Sequence, residues 1–218
     1  MHWATRAIPV RFTLRNVGQP ADDWPALFVS RRPAGWMMNT RTLYGGAFTI
    51  DVPASLVDVS QFRQVPDHQE VFACADTDQS VIVEIVDRSE VADSDCAKYY
   101  FQDLAEVNSA IASDTADTGD VQTCQGHTAT YVIGHQTVAK FKDAPSAANQ
   151  VEVYLGVIRL AEYGADILLT LNSPTSISPE SSSRHCLTPD ARITRDIAAE
   201  VFRSFTIVNA DSLFGERP

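Results

Sequence analysis

Two carboxylates three positions apart, Asp67 and Glu70, stand in the stretch Arg63-Gln64-Val65-Pro66-Asp67-His68-Gln69-Glu70-Val71. Such a pair can act as acid and base, as in glycoside hydrolysis, or meet the basic groups of a partner. Nothing around it suggests a sugar cleft, which favours the partner. A third use is local, with Asp67 capping the turn that enters the next strand. Cys74 and His68 could pair as nucleophile and base. Cys74 sits in an apolar strand-like run, however, where a free cysteine is commonly a buried apolar residue. His127 and His135, eight positions apart, read as ordinary strand residues, because no histidine clusters with cysteines at zinc-ligand spacing. The chain holds no GxxxxGK[ST] loop, no GxSxG elbow and no HExxH helix. It also lacks a basic patch interleaved with aromatics, which argues against nucleic acid as a partner.

The elements that must position the acidic stretch follow from pattern. Leu43 to Val52 is apolar around Gly45-Gly46 and reads as a strand entered through a glycine turn, ended by Pro53. Tyr44 and Phe48 are expected in the core, with the lining of an interface as the alternative. Asp58-Val59-Ser60-Gln61 has the form of a capping box and predicts a short helical turn through Phe62, stopped by Pro66. Asp58 is thereby a cap. Asp67 and Glu70 then lie on the loop into a strand Val71–Ala75. Gln79–Val86 is a β-branched, continuous run and predicts a buried strand. Tyr100, Leu104, Val107 and Ile111 step by four, three and four, a helical stripe. Ser113–Asp120 reads as a loop, Gly126–Phe141 and Gln150–Arg159 as strands, and Ala165–Leu171 as a further buried strand. Asn172–Leu187, rich in Ser and Pro, reads as a long loop. A last helix is predicted with Thr188 as N-cap, Pro189 first and Asp190 against the dipole. Its apolar face is Ile193, Ile197, Val201 and Phe205.

The fold class expected is α/β of the α+β type: a largely antiparallel β-sheet flanked by helices on both faces. At 218 residues and 44% hydrophobic composition the chain can bury a core of useful size. Charge is uneven. Residues 1–36 hold five arginines against two aspartates, a net +3, which leaves −14 on the rest of a chain whose total is −11. A body so acidic repels nucleic acid and anionic membranes and steers in basic proteins. The four cysteines, Cys74, Cys96, Cys124 and Cys186, are widely spaced and read as reduced thiols. No apolar run approaches the ~20 residues of a membrane span.

The N-terminal segment reads differently. Arg6, Arg11 and Arg15 alternate with apolar residues and no acid precedes Asp22, which resembles a weak mitochondrial transit segment. Pro9 and the alternation from Ile8 to Leu14 favour a strand over an amphipathic helix. Residues 1–37 are expected to be an extension, disordered or an upstream start, with the domain at 38–218. An organelle-targeting role stays open.

Three segments in order carry a family resemblance: Leu43-Tyr44-Gly45-Gly46-Ala47-Phe48, the Arg63–Val71 stretch, and Thr77-Asp78-Gln79-Ser80-Val81-Ile82-Val83-Glu84. Gly156–Leu160, Ala165–Pro174 and Phe205–Phe214 follow at compatible spacing. Together they resemble the Ran guanine-nucleotide release factors of the Mog family, across most of residues 43–214. The resemblance implies a Mog/PsbP-like sheet flanked by helices. It implies a non-enzymatic regulator without cofactor that binds the GTPase Ran, promotes nucleotide release and supports nuclear import. A monomer in nucleus and cytoplasm, contacting neither nucleic acid nor membrane, goes with that reading. The residues it implicates in binding Ran are Asp67, Gln69 and Glu70, with Arg63 and Pro66 shaping their loop. The alternatives are a lumenal extrinsic protein resembling PsbP, which shares this fold, and an acidic adaptor for another basic partner.

Overall fold

The computed structural model describes residues 37–140, 143–186 and 192–215. The expected N-terminal extension and the residues Thr188, Pro189 and Asp190 lie outside them. Among the described residues the elements are β1 (Met38–Leu43), β2 (Phe48–Pro53), β3 (Val57–Asp58), β4 (Gln69–Ala73), β5 (Ser80–Asp87), α1 (Cys96–Val107), β6 (Ala112–Gln122), β7 (Thr128–Val138), β8 (Asn149–Leu160), β9 (Ala165–Ser176), α2 (Arg195–Ser204), β10 (Thr206–Ile207) and α3 (Asp211–Phe214). A seven-stranded sheet runs β3-β4-β5-β9-β8-β7-β6, and a small sheet runs β1-β2-β10. Every neighbouring pair is antiparallel.

The large sheet is covered on both faces, and the two-residue period of its strands sorts the core. Along β8, Val151, Val153, Leu155 and Val157 pack with Cys96, Ala97, Tyr100 and Phe101 of α1. Tyr154, Ile158 and Leu160 point the other way. They share a cluster with Ile197, Val201 and Phe202 of α2 and with Leu43, Phe48 and Ile50 of the small sheet. Each helix sits close because a glycine lies beneath it. A side chain at Gly134 would run into the Phe101 ring, and one at Gly156 would come within 3.0 Å of the Phe202 ring.

Several expectations are met: the glycine turn before β2, the capped turn at Asp58, β5, β7, β8 and both main helices. Others need correction. Ser113–Asp120 is not a loop but most of β6, an edge strand paired to β7 alone. Its side chains are nearly all exposed, so no apolar alternation marks it, and Asp114, Asp117 and Asp120 guard the free edge against further pairing. Asn172–Ser176 belongs to β9 rather than to a loop. Its polar side chains are satisfied internally: Asn172 donates to Ser80 Oγ at 3.0 Å, and Ser173 Oγ donates to the Ile193 carbonyl at 2.9 Å. Helix α2 starts at Arg195 with Thr194 extended before it, later than the Pro189 expected. Ile193, Ile197, Val201 and Phe205 are nonetheless all buried, with Ile193 and Phe205 just outside its ends. In α1 the buried face turns toward Phe101, and Ile111, past the helix end, is exposed.

Candidate functional site

The β1–β2 hairpin reverses through Tyr44–Gly46, where Tyr44, Gly45 and Gly46 have φ of 48°, 65° and 105°. The left-handed region is free for glycine and unusual for tyrosine. Here the conformation seats Tyr44 against the acidic stretch. Its backbone N–H donates to Glu70 Oε1 at 2.9 Å, and its hydroxyl lies 3.0 Å from the His68 carbonyl and 2.9 Å from that of Val83. Burial, reinforced by the charges of Glu70 and Glu84, pushes the Tyr44 hydroxyl well above its ordinary pKa, so it remains a donor. One tyrosine thus joins the hairpin turn to β5 and to the entry of β4.

Two closures shape the loop between β3 and β4. At its start Asp58 accepts from the Ser60 N–H at 2.8 Å and from Ser60 Oγ at 2.7 Å, which caps the turn Val59–Gln61. The Phe62 and Arg63 amides both donate to the Val59 carbonyl. At its end the Gln69 N–H donates to the Pro66 carbonyl at 2.9 Å, and this closes a turn with Asp67 at its second position. Arg63 and Asp67 are exposed, and Pro66 and Glu70 are partly buried. Among the described residues the Asp67 carboxylate accepts no hydrogen bond, so it caps nothing.

Glu70 lies in β4, not on the loop expected to carry it. Gln69 also departs from expectation: as the first residue of β4 it pairs across the sheet with Glu84, and its side chain is buried, donating to Glu84 Oε1 at 3.0 Å. It therefore supports the loop from beneath instead of lining its surface. His68 is buried beside it, with Nε2 3.4 Å from the same Glu84 oxygen. Burial raises the Glu84 pKa from its ordinary value, against the pull of Gln69 and His68. Burial likewise raises Glu70, which the Tyr44 N–H lowers and the nearby charge of Asp58 raises. No described cation pairs with Glu70 or Asp67. A half-buried carboxylate whose charge is met by a single amide is poised to gain from an external cation.

In the sequence alone His68 stands out only as a base for Cys74 and Tyr44 chiefly as a core residue, and Glu84 has no role of its own. The readable signal for Glu84 was an acid inside the buried run Val81–Val86. Elsewhere, His135 lies 3.0 Å from Asp114 at the exposed edge, and the four cysteines are free thiols. Among the described residues no cluster of His, Cys, Asp or Glu could hold a metal ion, and no helix is long and apolar enough to cross a membrane.

The three segments that meet here fall within a match to one protein family. The family model described as Ran-interacting Mog1 protein covers residues 41–174. This chain belongs to the Mog1 family. Among its Mog1 relatives, a Ran guanine nucleotide release factor of Danio rerio is 39% identical over 153 residues, spanning 66% of this chain and 82% of the relative. The Homo sapiens Ran guanine nucleotide release factor is 35% identical over 155 residues, 65% of this chain and 81% of its own. The crystal structure of the Saccharomyces cerevisiae Ran-binding protein Mog1p superposes with a TM-score of 0.61 at 25% identity, covering 82% of this chain and 99% of that one. A cyanobacterial PsbP from Synechocystis superposes at 0.51 with 10% identity, covering 83% and 99%, a likeness of fold alone. The Mog/PsbP-like architecture expected from the sequence is therefore the one observed.

Proposed function

We propose that this protein binds the small GTPase Ran, promotes release of its guanine nucleotide and so supports nuclear protein import. It acts as a non-catalytic regulator, a monomer in nucleus and cytoplasm. Residues 38–218 form the Ran-binding domain, with residues 1–37 an extension to it. The contact surface is the loop carrying Arg63, Pro66 and Asp67 together with Glu70 at the start of β4, with Gln69 holding it from within. The single observation that carries the reading is convergence. Three separated sequence segments meet at Tyr44, Glu70 and Glu84, where Glu70 and the neighbouring Asp67 lack a cation of their own. The names of the relatives say which partner to test first.

The physics of the contact is simple. A short loop closed at both ends presents carboxylates at little ordering cost. Lysine or arginine drawn to them is withdrawn from phosphate, or a switch loop moves with it. Coupling is reciprocal, so bound nucleotide weakens this protein's hold on Ran by the factor by which the protein weakens the nucleotide's.

The test is release of labelled nucleotide from Ran, comparing native protein with Asp67→Lys/Glu70→Lys. Acceleration by the native protein, reduced about tenfold or more in a variant that remains folded, is the expected result. Acceleration untouched by the double reversal moves the contact elsewhere. Absence of binding and release at low salt with either nucleotide overturns Ran as the partner.

A further inference from the structure

Among the described residues Phe62 is the most exposed large apolar side chain, with 75% of its surface open. A lone exposed apolar residue is ordinary on a protein surface. Three features set this one apart. Its backbone is fixed, because the Phe62 N–H donates to the Val59 carbonyl at 3.0 Å in a turn whose entry Asp58 caps. The capped turn continues directly from β3, whose Val57 is also half exposed at 49%. Its chain continues straight into the acidic turn, so Phe62 and Asp67 stand at the two ends of one short segment closed at Arg63 and at Gln69.

An exposed aromatic ring on a hydrogen-bonded turn, followed along the chain by carboxylates without a cation of their own, has the composition of an interface centre and its rim. Aromatic residues seated in a partner's recess supply most of the energy that resists dissociation. Charges at the rim act mainly on encounter and on its salt dependence. We propose that Phe62 is the apolar anchor of the Ran contact. It enters an apolar recess on the GTPase that is bordered by basic side chains, and Asp67 and Glu70 meet that border. The occupant is fixed by charge complementarity, since the body of the chain carries −14, and by continuity with the acidic loop. The inference rests on the Ran reading above.

Binding kinetics with Ran separate the parts. Native protein, Phe62→Ala, Phe62→Trp and Asp67→Lys/Glu70→Lys are compared at low and high salt. An exposed ring contributes little to folding, so Phe62→Ala is expected to unfold at the native midpoint. It is expected to dissociate about tenfold faster or more, with an association rate and salt slope equal to the native protein's. Phe62→Trp restores slow dissociation, and the double charge reversal lowers association instead. Dissociation of Phe62→Ala within about twofold of native overturns the anchor and leaves the acidic loop standing. A loss confined to the association rate overturns it as well. Native protein that fails to bind Ran overturns both this inference and the reading beneath it.

Discussion

Glu70 combines two demands that pull against each other. Its carboxylate must be held, which the Tyr44 N–H does, and it must be left short of charge compensation so that a partner's cation has something to offset. The electrostatic consequence has a definite sign. Desolvation raises the folded-state pKa above that of the unfolded chain, so the folded protein keeps the Glu70 proton more tightly. Its contribution to stability is therefore greatest where both states are protonated. It falls as pH rises through the window that opens at about pH 4 and closes at the raised folded pKa. Glu84 adds to the same trend. Glu70→Gln keeps an acceptor for Tyr44 while removing the charge. Denaturant unfolding across acid to neutral pH is expected to show a shallower decline for the variant than for the native protein. A decline as steep as the native one would remove Glu70 from this account. The acids of the loop were readable as chemistry-bearing residues, because carboxylates near a proline in a polar stretch stand out. Their support was not, because Tyr44 is 26 positions from Glu70 and looks like any core aromatic.

At the scale of elements, the loop is precise because its two flanks are anchored in a sheet that cannot slide. β4 pairs with β5 from Gln69↔Glu84 to Ala73↔Ser80, and a slip of one residue would send Gln69 outward and Glu70 inward. The sheet in turn depends on helices seated over glycines. Gly134→Ala places a methyl against the Phe101 ring and the Asp114 backbone, and the backbone cannot yield as a side-chain end can. It is expected to lower unfolding free energy by about 1–3 kcal/mol. Gly156→Ala meets only the face of the Phe202 ring, at 3.0 Å, and is expected to cost less. Urea titrations of the two variants check the order. Strands with apolar alternation and helices with a continuous stripe were legible in the chain. β6 and the end of β9 were not. β6 faces water and has no apolar period, and Asn172 and Ser173 are buried by hydrogen bonds that composition does not reveal. The late start of α2 has a similar cause: Ile193 has the helical spacing, yet its N–H is taken by Gln79 Oε1 at 2.6 Å.

At the scale of the whole molecule, a net charge of −11 sets a long-range field that the loop alone does not. Association with Ran is expected to slow several-fold as ionic strength rises from about 0.05 to 0.5 M, with dissociation little changed. Stopped-flow mixing at a series of salt concentrations measures this, and a salt-independent association rate would confine electrostatics to the contact itself. The charge, the presence of a two-sided core and the acidic loop are fixed by residue type and by order along the chain. They are set by local propensity and composition, and so the sequence by itself determined them. That Gln69 is inside and Glu70 at the surface follows from strand register. That Tyr44 sits beneath the loop, and that Phe62 stands open beside it, follow from packing. These are contacts between segments tens of residues apart. No local pattern encodes such distances, because they are resolved only when the sheet pairs and its helices close over both faces.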